Sequence, residues 1–207
     1  AEDLRERGYA TGLFGKWHLA RAYTGPDSIA EGPDRQGFEE SFITHKPSKN
    51  QDPAKDPHGV AGITERALDF IGRHRDRPFF VYLPFNAPHS ASSLDKPGVQ
   101  APAEFIRRYP DLDPKARLTA YYAAVTCMDD AIGEVLRTLQ EIGQEKNTLV
   151  LFLSDNGGAG NGGTAIVWSD QETNFKGQID GRAKNAEIGG DGGFAEVSGK
   201  LRLNYAG

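Results

Sequence analysis

Tyr9-Ala-Thr-Gly-Leu-Phe-Gly15 is a short, nearly apolar run that follows directly on Ala1 to Gly8. The first eight residues read as the last turns of a helix closed by a glycine, so Tyr9 to Gly15 reads as a buried strand. The same alternation continues down the chain. Ala61 to His74 places Ile63, Ala67, Phe70 and Ile71 at helical spacing. Pro78 then opens a strand, Phe79-Phe-Val-Tyr-Leu83. Lys115 to Ile142 is the clearest helix, with an apolar stripe from Leu118 through Tyr121, Tyr122, Val125, Met128, Ile132, Val135, Leu136 and Leu139 to Ile142. Thr148-Leu-Val-Leu-Phe-Leu153 is a third strand, apolar throughout, as a strand covered on both faces should be. Strand, helix, strand, helix, strand predicts an α/β fold with a mainly parallel sheet sandwiched by helices.

Composition narrows the possible roles. The chain has 207 residues, enough for one sizeable core. It carries 24 Lys+Arg against 29 Asp+Glu, a net charge of −5, so nucleic acid is not an expected partner. No apolar run reaches the roughly 18 residues of a membrane helix, so no membrane partner is expected either. The single Cys127 excludes an internal disulfide framework. Residues 157–207 differ from the rest, with 13 of the 25 Gly. No helix or strand is expected there beyond a short run from Thr164 to Trp168. The domain reading is therefore 1–156 as the α/β part and 157–207 as a Gly-rich loop or insertion continuing it.

The residues just after the strands are the chemically interesting ones. The first strand is followed by Lys16-Trp17-His18, the second by Asn86, Pro88 and His89, and the third by Ser154-Asp155-Asn156-Gly157-Gly158. Ligands of open α/β sheets bind outside the carboxyl ends of the strands, so three such exits point to one shared site. Lys16 can hold an oxyanion, and an imidazole can donate or accept a proton near neutrality. Taken alone, Lys16 and His18 read more simply as a solvated lysine and a turn-capping histidine. His89, stiffened by Pro88, reads equally as an acid/base or a satisfied loop residue. Asp155 and Asn156 offer hard oxygens suited to Ca²⁺ or Mg²⁺, or form an Asx-type turn. Asp129-Asp130 lies mid-helix, where neighbouring side chains diverge, and reads as structural. Cys127 reads as a small buried hydrophobe. His45, His58 and His74 read as surface residues.

Together these segments resemble the type I sulfatases of the alkaline phosphatase superfamily. Gly8 to Leu19 resembles the family's G-Y-x-T strand leading into G-K-W-H-L. Arg35-Gln-Gly-Phe-Glu39 resembles its R-G-F-D stretch with one extra residue. Arg77-Pro-Phe-Phe-Val-Tyr-Leu83 through Ala87-Pro-His89 resembles P-F-F-L-Y-L…A-P-H, and Tyr121 to Gly158 resembles the block ending in S-D-N-G-G. The resemblance covers about residues 1–160. It implies a sulfuric ester hydrolase. Lys16 would contact the sulfate and help hold the nucleophile, and His18 would hydrogen-bond that nucleophile. His89 would contact the sulfate and the leaving-group oxygen as general acid. Asp155 and Asn156 would ligate the metal, usually Ca²⁺. The second active-site lysine would be Lys176, 21 residues after Asp155, with Lys200 as its rival.

The chain also departs from the family pattern. It has no C/S-x-P-x-R motif, whose Cys or Ser becomes the formylglycine nucleophile, and no upstream Asp pair. The resemblance therefore implies a central fragment whose partners include the N- and C-terminal parts of its own chain. Alone it is expected to be inactive and marginally stable. A small-molecule or glycan sulfate ester is the expected substrate, and a periplasmic or secreted location follows from resemblance only. Two alternatives remain open at this point. One is a phosphonate or phosphate ester hydrolase of the same superfamily. The other is a non-catalytic binding protein on the same scaffold.

Overall fold

A computed structural model describes residues 1–17, 19, 32–43, 55–89 and 98–153, and, as backbone strands only, 164–169, 172–176, 194–199 and 202–206. The chain divides into two compact units, Ala1–Ile142 and Gly143–Gly207.

The first unit is built on β1 (Ala10–Gly15), which follows the short helix α1 (Glu2–Glu6). Strand β1 is the centre of a three-stranded sheet ordered β2-β1-β3, with β2 at Glu40–Ile43 and β3 at Phe79–Tyr82. Both pairings are parallel, with Gly12 opposite Glu40 and Ala10 opposite Phe79. All six residues of β1 are buried, as expected of a central strand covered on both faces. Its side chains alternate with the pleat. Ala10 and Phe14 join Ile63, Ala67 and Phe70 of helix α2 (Val60–Arg73) on one face. Leu13 joins Trp17 and Phe38 on the other. Leu13, Ile63 and Phe70 are fully buried, each contributing about 1.5–3 kcal/mol relative to exposure.

Strand β2 was not foreseen in the sequence. Its four residues are too few to show a period, and tertiary bonds hold it instead. Arg73 of α2 grips the Glu40 carboxylate with two bonds of 2.9 and 2.7 Å. The Arg66 guanidinium lies 5.4 Å from the Phe42 ring centroid. His74, expected at the surface, instead packs on Phe70 at 4.5 Å between ring centroids and meets Glu40 at 3.2 Å.

After α3 (Ala103–Ile106) comes the long helix α4 (Arg117–Glu141). The helix is where the periodicity places it, but its buried face differs from the expected stripe. Leu118, Tyr121, Tyr122 and Leu136 are exposed, whereas Ala123, Ala124, Cys127, Ala131 and Leu139 are buried. Cys127 and Ala131 pack with Val60 of α2 and with Ala87. Small residues let the backbones approach, so contact geometry overrode side-chain size. Asp130 binds Arg108 at 2.7 Å. Among the described residues no helix is long and apolar enough to cross a membrane.

The second unit begins with a 3-10 turn, Glu145–Asn147, and β4 (Val150–Leu153). Strand β4 lies where the sequence places it. It pairs antiparallel with β5 (Thr164–Ser169), Leu153 facing Ala165. Leu151 and Leu153 are 54% and 61% exposed. An apolar run specifies a strand without specifying its neighbour. Strand β5 also pairs in parallel with β7 (Phe194–Gly199), while β6 (Glu172–Lys176) pairs in parallel with β8 (Arg202–Ala206). The last three of these strands correct the expectation of a structureless tail. Each is short and set among glycines, and even the alternating Leu201 to Tyr205 run at β8 has too few residues to stand out.

Candidate active site

Parallel pairing places the C-terminal ends of β1 and β3 side by side at one sheet edge. The exit of β1 is held by a glycine. Gly15 has φ +138°, and a Cβ there would lie 2.3 Å from the Pro84 carbonyl oxygen. Only a residue without a side chain lets the two strand exits come this close. The next amide, that of Lys16, donates a 2.7 Å hydrogen bond to the same carbonyl. Lys16 is half-buried at this edge.

Trp17 is the anchor of the segment. It is buried and meets Phe38 edge-on at 6.3 Å. Phe38 in turn stacks on Phe80 at 6.0 Å. The stretch Arg35 to Glu39 thus braces β1. Thr11 donates from Oγ1 to the Gly37 carbonyl at 2.7 Å and accepts from the Glu39 amide at 3.0 Å. The Glu39 carboxylate takes the Thr11 amide at 3.1 Å. Gly37 sits at φ +85°, where a Cβ would strike the Glu2 backbone nitrogen at 2.3 Å.

The exit of β3 runs through Pro84 and Phe85 to Asn86, and Ala87-Pro88 is a cis peptide. The His89 amide closes a turn onto the Asn86 carbonyl at 2.8 Å and leaves the His89 side chain exposed. The Asn86 side-chain amide donates to the His58 carbonyl at 3.4 Å.

His58 corrects the sequence reading, because it is 5% exposed rather than a surface residue. It shares a tight crevice with Asp56, Val60, Ala87, Pro102, Ala124 and Cys127. Among the described residues, neither ring nitrogen has a hydrogen bond of good geometry. Burial pushes its pKa below the ordinary value. The Gln100 backbone and the Asp56 carboxylate oppose that shift, and the neighbouring His89 adds to it. The bend is fixed by Asp56, whose carboxylate accepts from the amides of Val60, Ala61 and Gly62 at 2.7, 3.0 and 3.4 Å. These are first-turn donors of α2 with no partner inside the helix. The burial of His58 comes from α4 and Pro102, both distant in sequence, and no local signal carries it.

Of the predicted site residues, Lys16 and His89 therefore belong to two adjoining strand exits. Lys176 ends strand β6 opposite Ala206. His18, Asp155, Asn156 and the rival Lys200 lie outside the described residues, as does His45. Among the described residues no group of three His, Cys, Asp or Glu side chains converges as a metal site. The donor chemistry of Asp155 and Asn156, a carboxylate followed by an amide oxygen, suits a hard divalent cation.

This fold is that of a sulfatase. The Sulfatase family model matches residues 1–186, and the chain belongs to that family. It is 30% identical to N-acetylgalactosamine-6-sulfatase of Mus musculus, over 76% of this chain and 32% of that protein. It is likewise 30% identical to an ulvan-active sulfatase of Formosa agariphila, over 76% of this chain and 34% of that protein. Among solved structures it is similar to Ps i-CgsB in complex with k-i-k-neocarrahexaose, at 27% identity and TM-score 0.59, over 76% of this chain and 39% of that one. The chain thus spans about a third of the length of the curated relatives it matches.

Proposed function

We propose that the protein hydrolyses a sulfate ester, with a small-molecule or glycan sulfate as substrate. The observation that carries this reading is the junction of β1 and β3, which holds Lys16 and the His89 turn at one sheet edge through the Lys16–Pro84 bond. Sulfatases named for glycan substrates among the relatives support the substrate class.

In this reading Lys16 supplies a fixed positive charge to the sulfate oxygens, where negative charge builds up as the ester bond breaks. His89 contacts the sulfate and donates a proton to the leaving-group oxygen. His18 hydrogen-bonds the nucleophile, and Lys176 is the second lysine that binds the sulfate. Residues 1–156 form part of the catalytic α/β domain, and 157–207 continue it. Sulfatases generally use a metal ion and formylglycine. Asp155 and Asn156 would hold the metal, for which Ca²⁺ fits their hard oxygens. That ion would stabilise negative charge on the sulfate oxygens. A periplasmic or secreted location goes with this assignment.

The test is turnover of 4-nitrophenyl sulfate and 4-nitrophenyl phosphate by the complete enzyme, with Lys16→Ala and His89→Ala beside it. Sulfate hydrolysis reduced about 10²–10⁴-fold in His89→Ala is the expected result. Preference for the phosphate ester would transfer the protein to the phosphoryl-transfer branch. Stoichiometric sulfate binding without turnover would make it a binding protein.

A further inference from the structure

The His89 turn does not stand alone at the sheet edge. We propose that Asn86 is a positioning residue for His89, holding the turn that presents the imidazole to the buried bend at Asp56–Gly59. The tie has two halves. The Asn86 carbonyl accepts the His89 amide at 2.8 Å, and the Asn86 side chain donates to the His58 carbonyl at 3.4 Å. One residue thus carries a bond to each segment.

The bend is a firm anchor for three reasons. The Asp56 carboxylate ties it to three amides of the first turn of α2. The His58 ring is sealed in the crevice formed by Ala87, Pro102, Ala124 and Cys127. Ala87 is itself 6% exposed and packed against Val60, which follows the bend, and against Cys127 and Ala131 of α4. His89 remains exposed while its backbone is fixed by this tie.

This inference rests on His89 being the proton donor, and the experiment separates the two claims. Asn86→Ala, His89→Ala and the double variant are compared in the complete enzyme with 4-nitrophenyl sulfate. A positioning role predicts that Asn86→Ala lowers kcat about three- to tenfold with KM nearly unchanged. It also predicts that the same change costs almost nothing once His89 is already Ala. Losses that multiply in the double variant overturn the positioning role while leaving His89 as the acid. Wild-type rates in His89→Ala overturn the acid assignment and the inference with it. Should Asn86→Ala fail to fold, Asn86→Asp takes its place in the cycle. It keeps the shape but sets a carboxylate oxygen against the His58 carbonyl, and it is judged by the same non-additivity.

Discussion

The amide of Lys16 donates a 2.7 Å hydrogen bond to the carbonyl of Pro84, and this bond joins the exits of two neighbouring parallel strands. It lies three residues beyond Leu13, the last position of β1 paired with β3. The sheet is thus extended at its edge by a bond that sets the backbone of a candidate sulfate-binding lysine. The bond depends on Gly15, because any side chain there would meet the Pro84 oxygen.

Gly15→Ala should therefore be severe. It combines a left-handed-side φ with a backbone clash that no rotamer relieves. A loss of at least about 2 kcal/mol is expected from urea unfolding. In the complete enzyme the substitution should also lower kcat, since Lys16 moves with the strand exit. Unchanged stability would mean that β1 and β3 are not joined as described.

Asp56→Ala should cost about 1–2 kcal/mol by the same measurement, because three first-turn amides of α2 lose their acceptor. Asp56→Asn should recover part of that loss. An effect near zero would show that water replaces the carboxylate without penalty.

Glu40 sets a pH dependence. Its bond to Arg73, with His74 assisting, holds the carboxyl at about 2 against burial that raises it. A carboxyl whose folded value lies below its ordinary value stabilises the fold fully above the ordinary value. That contribution fades as pH falls from about 4.5 towards about 2. Thermal melts of wild type and Glu40→Gln should differ at pH 6 and converge near pH 2. Both partners are over a third exposed, so the difference should be small and should shrink in high salt. A difference that persists at pH 2 would exclude the ion pair as its source.

Cys127 should be unreactive in the folded protein. Burial foremost pushes its thiol up to about 12, with Asp56 and Asp130 nearby adding to the effect. At pH 8 the thiol stays protonated, so Ellman's reagent should react only at the rate of unfolding. Rapid labelling of the native chain would contradict the packing of α2 against α4.

Where local pattern and burial agreed, the sequence alone sufficed. The run from Tyr9 to Gly15 is apolar on both faces and became the central strand. The spacing of Ile63, Ala67 and Phe70 marked the face of α2 that packs on it. The motifs of the family were legible because their chemistry sits in consecutive residues after each strand. Partners far along the chain decided the rest. The small seam of Ala124, Cys127 and Ala131, and not the larger Leu118 and Tyr121, became the buried face of α4, since only small side chains let α2 and the Ala87 turn approach. His58 reads as polar surface from its Asp-Pro-His-Gly setting, yet α4 and Pro102 enclose it. Strand β4 is as apolar as a buried parallel strand but pairs antiparallel with β5, because hydrophobicity favours burial without naming the neighbour that supplies it.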